Sequence, residues 1–104
     1  MHNNQLVNFL SIIECGSINK AAQKLFLSQS TLSQQIKQLE EEVGHELFDR
    51  KGKRVQLTQE GSILAEYAQR AVVEHEKVLK RIQESKYGIK QTLNIGLAQN
   101  SLTV

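Results

Sequence analysis

A long stripe of apolar residues in the second half of the chain limits the possible folds more than any other feature. At about 100° per residue, most of the apolar side chains from Ile63 to Ile82 fall on one side of an α-helix. Thr58 is a suitable N-cap, and Glu60 in the first turn suits the positive end of the helix dipole. The pattern therefore predicts one helix of about 25 residues, or roughly 38 Å.

A helix of this length has a consequence for assembly. A chain of 104 residues has room for one small domain, which cannot cover the whole stripe. We therefore expect the stripe to pack against a second copy in a coiled-coil-like homodimer, the alternative being a helix that folds back over its own domain. The side chains predicted to form this dimer face are Leu64, Tyr67, Ala68, Ala71, Val72, Val78, Leu79 and Ile82.

Three shorter helices are predicted before the long one. Apolar residues within 6–13 follow helical spacing, and Gly16 is suited to end this first helix. Ser17 is the predicted N-cap of a second helix over roughly 18–26, and Ser28 is the predicted N-cap of a third, which Gly44 is suited to end. Because a short turn joins the second helix to the third, the pair is a candidate helix-turn-helix.

The third helix separates apolar, polar and acidic residues. Its apolar residues, at steps of four, three and four from Leu32 to Val43, fall within one narrow sector. The front half of the opposite side carries hydroxyl and amide side chains and no acid, whereas Glu40, Glu41 and Glu42 follow one another near the end. Acids would suit the positive N-terminal end of an ordinary solvated helix, so their absence from the front needs another explanation.

A basic hairpin is predicted between the third helix and the long one. Residues 47–58 indicate two short extended segments around a turn at Gly52, with Val55 and Leu57 pointing inward. Four of the five residues 50–54 are basic, although the formal net charge of the chain is only +2. This uneven distribution matters more to a nucleic-acid partner than the total charge does.

The sequence disfavours several other classes of protein. A single cysteine, Cys15, excludes an intramolecular disulfide and fits a reducing cytoplasm. The three histidines have no metal-ligand spacing, and no carboxylate pair, activated nucleophile or phosphate-binding glycine loop occurs at usable spacing. There is no signal peptide and no apolar run of membrane-spanning length. We expect a cytoplasmic protein that is not an enzyme and that binds no cofactor, metal or membrane.

The pattern changes again after Tyr87. Residues 92–98 alternate apolar with small or polar side chains and indicate a β-strand. Because a lone strand has no partner, we expect it to begin a second domain that is absent, through excision of a fragment, which we favour, or through natural truncation. The predicted organisation is a winged domain at 1–58, a linker and dimerisation helix at 59–87, and a hinge with this first strand at 88–104.

The segment from Phe9 to Gly61 resembles the N-terminal DNA-binding domain of LysR-type transcriptional regulators. GSINKAAQKL matches the start of the family's second helix, LSQSTLSQQIKQLEEEVG its recognition helix, and ELFDRKGKRVQLTQEG its wing and the start of its linker helix. The resemblance implies a mainly α fold: a winged helix-turn-helix of three helices and a β-hairpin wing, followed by a long dimerisation linker helix. It also implies that a dimer binds an A·T-rich interrupted inverted repeat in double-stranded DNA, with recognition helix 28–43 in the major groove and wing 47–57 in the minor groove.

The chain departs from the family pattern in two places. Ser30 stands where the family usually has proline; serine costs little in a first helical turn and adds a hydroxyl that can reach a phosphate or a base. The family's effector domain is missing, so we expect no small-molecule effector site in this chain.

The resemblance and the chemistry of base edges together predict the residues that contact DNA. Gln29 and Gln34 are expected to pair with adenine in the major groove, because an amide matches its donor and acceptor. Arg50 or Lys53 is expected to enter an A·T-rich minor groove, where the negative potential is concentrated. The other residues predicted to bind bases or phosphates are Ser17, Asn19, Lys20, Ser30, Thr31, Ser33, Lys37 and Arg54.

A function of a different class is open as an alternative. A truncated regulator can act as a protein-interaction module that dimerises with a partner, or sequesters it, through the long helix. Specific binding to promoter DNA in a gel-shift experiment would favour the DNA-binding function over this one.

Overall fold

The computed structural model describes residues 1–49, 51–52 and 54–92, with side chains as far as residue 85. Within these ranges the chain forms α1 (Asn3–Cys15), α2 (Ile18–Leu25), α3 (Gln29–Val43), β1 (Phe48–Asp49), β2 (Gln56–Leu57) and α4 (Gln59–Thr92). Met1–Val73 forms one compact unit, and the part of α4 from Glu74 onward belongs to a separate unit. The predicted order of three helices, a hairpin and a long helix is confirmed.

Serine and glycine residues lie at four of the six ends of the first three helices. Gly16 and Gly44 close α1 and α3 with φ angles of 78° and 80°, a conformation that glycine adopts at little steric cost. The hydroxyls of Ser17 and Ser28 each accept a hydrogen bond from a backbone N–H in the turn that follows, at 3.0 and 3.1 Å. These four predicted ends are confirmed, but Phe26 is the C-cap of α2 and not its last helical residue.

The core of the first unit takes side chains from all four helices and from the base of the wing. Phe9 of α1 and Phe48 of β1 pack together with ring centroids 5.3 Å apart and planes tilted by 54°. The Asn8 amide donates a hydrogen bond to the Gln35 amide oxygen, which joins α1 to α3. The buried apolar side chains are Leu6, Phe9, Ile12, Ala21, Ala22, Leu32, Ile36, Leu39, Leu47, Phe48, Leu64 and Ala68.

The wing is a two-stranded antiparallel hairpin. Phe48 pairs with Leu57, and Asp49 pairs with Gln56. Phe48 is buried, while Val55 and Leu57 are half-buried against the core, as the period-two spacing predicts. The hairpin therefore packs one apolar face on the same core that supports the third helix.

The helix α4 extends beyond the predicted end of the linker helix. It continues to Thr92, through the predicted hinge at Gly88. Glycine inside a helix costs only about 1 kcal/mol relative to alanine, so one glycine does not have to end it. Thr92 is therefore the last helical residue and not the start of a strand, whereas the rest of the predicted strand, 93–98, lies outside the described residues. The domain boundary after Tyr87 stays a prediction.

Candidate nucleic-acid interface

The polar side of α3 is exposed to solvent. The opposite side fully buries Leu32, Ile36 and Leu39, which confirms the predicted inward face. Because this burial fixes the rotation of the helix about its axis, the polar side chains are directed outward. Among the predicted contact residues of α3, Gln29, Ser30, Thr31, Gln34 and Lys37 are exposed and Ser33 is half-buried.

Three hydroxyl groups lie close together at the start of α3. The Ser28 Oγ accepts a hydrogen bond from the Thr31 N–H at 3.1 Å and donates one to the Thr31 Oγ1 at 2.7 Å. The Ser30 Oγ lies 3.4 Å from the Ser28 Oγ. Because the Thr31 hydroxyl accepts from Ser28, its own hydrogen points elsewhere and can be donated to a base or a phosphate. Ser30 is exposed in the first helical turn, where proline would also fit.

The acids at the end of α3 bind groups elsewhere in the domain. The Glu40 Oε2 accepts a hydrogen bond from the Leu47 N–H at 2.9 Å. The Glu42 Oε2 lies 2.6 Å from the terminal ammonium of Met1. These two carboxylates therefore stabilise contacts between the end of α3 and other parts of the domain. The first half of α3 contains no acid.

The backbone of Glu46 and Leu47 joins α3, the wing and α4. The Thr58 hydroxyl donates to the Glu46 carbonyl oxygen at 2.7 Å, and the Thr58 N–H donates to the Leu47 carbonyl oxygen at 3.0 Å. The Gly61 N–H donates to the Thr58 Oγ1 at 2.9 Å, which confirms Thr58 as the N-cap of α4. A Cβ on Gly61 would lie 2.1 Å from the Leu47 carbonyl oxygen, so only glycine allows this approach. Together with the Glu40 bond, these contacts fix the base of the wing relative to α3.

The start of α2 forms a second polar surface. Asn19 and Lys20 are exposed there and Ser17 is half-buried. The first turn contains no acid, so the positive end of the helix dipole is not neutralised from within the helix. Near the other end, Lys24 pairs with Glu14 of α1 at 2.7 Å. The hydrogen bond between them lowers the pKa of Glu14 and raises the pKa of Lys24 from their ordinary values.

Among the predicted contact residues of the wing, Arg54 lies in the described part of the chain, and its side chain is exposed. At the tip, the Asp49 Oδ1 accepts a hydrogen bond from the Lys51 N–H at 3.0 Å, which helps the chain to turn. Arg50 and Lys53 lie outside the described residues, so their place in the minor groove stays a prediction.

Within the described residues, no helix combines the length and the apolar composition that crossing a membrane requires. No group of three or more His, Cys, Asp or Glu residues in that part of the chain is arranged to hold a metal ion.

The sequence of residues 3–62 matches the family described as bacterial regulatory helix-turn-helix protein, lysR family. This match covers more than half of the chain. The chain belongs to the LysR family. The resemblance carried by the motifs of the second helix, the recognition helix and the wing is thereby confirmed.

Two similar LysR-family relatives are transcriptional regulators of Bacillus subtilis (strain 168). The HTH-type transcriptional regulator CitR is 37% identical over 93 residues, which are 89% of this chain and 32% of CitR. The HTH-type transcriptional regulator BsdA is 40% identical over 93 residues, which are 88% of this chain and 32% of BsdA. The chain therefore spans about a third of the length of these relatives.

A solved structure with a similar fold is the crystal structure of a BenM_DBD complex with catB site 1 DNA. It aligns with a TM-score of 0.82 and 33% sequence identity, and the alignment covers 85% of this chain and 95% of that chain. The observed fold is therefore the winged-helix DNA-binding domain of LysR-family regulators, as the sequence predicts.

The predicted dimer face of the LysR linker helix contains both buried and exposed residues. Leu64 is 8% exposed and Ala68 is fully buried, because both pack into the core of their own domain. Their own domain therefore covers most of Leu64 and all of Ala68, and a place for either residue in the dimer face stays a prediction. Ala71 and Val72 are half-buried, and Tyr67, Val78, Leu79 and Ile82 are 45–58% exposed.

The selection of dimer residues missed two exposed apolar side chains of α4. Ile63 is 63% exposed and Val73 is 48% exposed. Ile63 and Tyr67 are one helical turn apart and line an open pocket of about 300 Å³, together with Met1 and His45. The four-residue spacing of Ile63 and Tyr67 indicates that they share one face of α4. Spacing alone, however, does not show which side of the apolar stripe is covered by the rest of the domain.

Proposed function

We propose that this chain is the sequence-specific DNA-binding module of a bacterial transcriptional regulator. A dimer binds an A·T-rich interrupted inverted repeat, with recognition helix 28–43 in the major groove and wing 47–57 in the adjacent minor groove. The proposal includes no catalytic step, and it assigns the protein to the cytoplasm, where bacterial DNA is accessible.

One observation carries this proposal: the first half of α3 has a polar, acid-free surface that the core holds toward solvent. Leu32, Ile36 and Leu39 are fully buried, so the helix cannot rotate without exposing them. A polyanion approaching the opposite side meets hydroxyls, amides and the Lys37 ammonium, which are the groups that read base edges and bind phosphates. The similarity to a domain solved with DNA supports the same assignment.

The contacts on DNA divide by chemistry into base readers and phosphate binders. Gln29 and Gln34 are the base readers, because an amide pairs with adenine through two hydrogen bonds. Ser33 and Lys37 bind phosphates, and Ser30 and Thr31 serve either phosphates or bases. Ser17, Asn19 and Lys20 hold the DNA backbone at the start of α2 through side chains and helical N–H groups. Arg50, Lys53 and Arg54 neutralise charge at the minor groove.

The dimer in this proposal forms through α4. Tyr67, Val78, Leu79 and Ile82 each leave about half of a large apolar side chain in water. Packing these residues against a second copy would remove that surface from solvent. The same residues are the observation behind the alternative function, a module that sequesters a protein partner.

Selection of bound sequences from random double-stranded DNA tests the proposal directly. The chain should recover two half-sites in inverted orientation, and its affinity should fall with salt at a log–log slope of about −7 to −8 if each protomer neutralises four or five phosphates. A slope near −2 would contradict contact by two wings and two recognition helices. Absence of any selected sequence, with a partner protein still bound, would favour the alternative.

Substitution of Gln29 by alanine tests the division of the contacts. The variant should bind the selected operator roughly 1–3 kcal/mol more weakly and should lose base preference at one position of each half-site. Lys53→Ala should weaken binding to operator and to random DNA about equally. Gln69→Ala is the matched control, since Gln69 is an exposed glutamine of α4, and it should bind like the unmodified chain.

A further inference from the structure

Phe26 has a conformation that its own chain does not explain. It is the one residue other than glycine with a positive φ in the described part of the chain, at φ 58° and ψ 39°. Its side chain is 95% exposed. An L-residue with a bulky side chain rarely adopts this left-handed conformation, because its Cβ approaches the following carbonyl oxygen.

The turn between α2 and α3 does not need an aromatic ring. The Phe26 N–H donates to the carbonyl oxygens of Ala22 and Gln23, and the Leu27 N–H donates to the Ala22 carbonyl oxygen at 2.9 Å. In this kind of helix end the apolar contact comes from the following residue, and Leu27 is indeed half-buried against the core. Glycine or asparagine would adopt the same left-handed backbone conformation with less strain. The ring therefore has no role in packing within its own domain.

The position of Phe26 indicates what the ring can meet. It lies three residues before Gln29, the first residue of α3, so the two Cα atoms are at most about 11 Å apart. Between residues 23 and 31, Lys24 is the one charged side chain and there is no acid. Along the chain this stretch therefore continues the acid-free front of α3, and the Glu14 carboxylate that meets it is paired with the Lys24 ammonium at 2.7 Å.

We propose that Phe26 is a DNA-contacting residue that packs on apolar parts of the operator. At the edge of the groove entered by α3, those parts are the deoxyribose rings and the thymine C5-methyl groups. The inference rests on the proposed function, and it adds a contact that carries no charge. The strained backbone at Phe26 is then retained because it holds the ring where bound DNA covers it.

Two variants of Phe26 separate binding from folding. Phe26→Asn suits the left-handed conformation but removes the ring, so its midpoint of thermal unfolding should be unchanged or higher. Its dissociation constant for the selected operator should rise roughly five- to tenfold, with the salt slope unchanged. Phe26→Leu keeps an apolar side chain in the same backbone and should lose less affinity than Phe26→Asn.

The outcomes are distinguishable from failure of the proposed function. If the unmodified chain shows no specific binding, the proposed function and this inference are both overturned. If it binds and Phe26→Asn binds equally well, the inference alone is overturned. The same holds if Phe26→Asn leaves affinity unchanged but lowers transcription from a reporter promoter, since the ring then contacts another protein and not DNA.

Discussion

The two parts of α4 have the same apolar spacing but opposite environments. In the proximal part, residues 59–73, Leu64 and Ala68 are buried in the core of the winged domain. In the distal part, residues 74–92, Leu79 is 50% exposed. Helical periodicity shows that one face is apolar, but it does not show whether the chain itself or another molecule covers that face. We therefore assign the buried Leu64 and Ala68 to the stability of the winged domain, and Tyr67 together with the exposed apolar residues of the distal part to the proposed dimer.

Two small residues of the proximal part allow a close contact that has no counterpart among the apolar residues named in the distal part. Gly61 and Ala68 let the proximal part approach the wing and the core closely, and the Gly61 site leaves no room for a methyl group. The distal part instead carries Val78, Leu79 and Ile82, which all leave about half of their surface exposed. Small residues on a helix favour close packing within a domain, whereas large exposed ones leave apolar surface that a partner can cover.

The largest effect is expected for Gly61→Ala. A Cβ at this site would lie 2.1 Å from the Leu47 carbonyl oxygen and 3.0 Å from the Leu57 Cδ2, so α4 or the wing must move. Overpacking against backbone should lower the free energy of unfolding by at least about 3 kcal/mol, as measured by urea denaturation. Ser62→Ala is the control, because the neighbouring Ser62 is exposed, and it should change stability by less than about 0.5 kcal/mol. Equal stability of the two variants would show that the proximal part is not held against Leu47.

This contact shows why part of the fold could not be predicted from the sequence. The helix ends at Gly16, Ser17, Ser28 and Gly44 could be predicted, because each depends on residues within one turn of itself. The need for glycine at 61 depends on a carbonyl group fourteen positions earlier in the chain, and no local pattern reports it.

A second, smaller effect separates Leu64 from Leu79. Leu64→Ala should lower the free energy of unfolding by about 2 to 3 kcal/mol at any protein concentration, because it leaves a cavity in the core. Leu79→Ala should have little effect in dilute protein and a larger one in concentrated protein, where dimers stabilise the folded chain. Urea denaturation at two concentrations measures both. If the loss of stability in Leu64→Ala depended on protein concentration, the distinction between the two parts of α4 would be wrong.

Some features of the candidate interface also depend on neighbouring residues in the sequence, and others depend on distant segments of the chain. The acid-free front of α3 and its buried leucines follow from residue spacing, so the exposed set from Gln29 to Lys37 could be predicted. The hydrogen bond from the Leu47 N–H to Glu40 and the left-handed Phe26 could not, since both depend on where other segments pack. The residue pattern also does not distinguish Leu64 from Tyr67, although Leu64 is 8% exposed and Tyr67 is 45% exposed.

The smallest effect on folding, and the sharpest test of the distal part, is expected for Leu79→Glu. Leu79 is half exposed, so a carboxylate there should change the free energy of unfolding of the monomer by less than about 0.5 kcal/mol. In a dimer the same carboxylate would be buried without a partner, and the dimer dissociation constant from sedimentation should rise at least about tenfold. Binding to an operator with two half-sites should weaken with it, while binding to a single half-site should not change.

Lys80→Gln is the matched control for charge. It changes the net charge by the same amount as Leu79→Glu, at an exposed residue about 100° further round the helix, away from Val78 and Ile82. This variant should dimerise like the unmodified chain. If both variants dissociate equally, the dimer responds to net charge and not to the apolar face. If neither dissociates, the exposed residues of the distal part are not the dimer contact, and its apolar spacing has the same origin as that of the proximal part: packing within one chain.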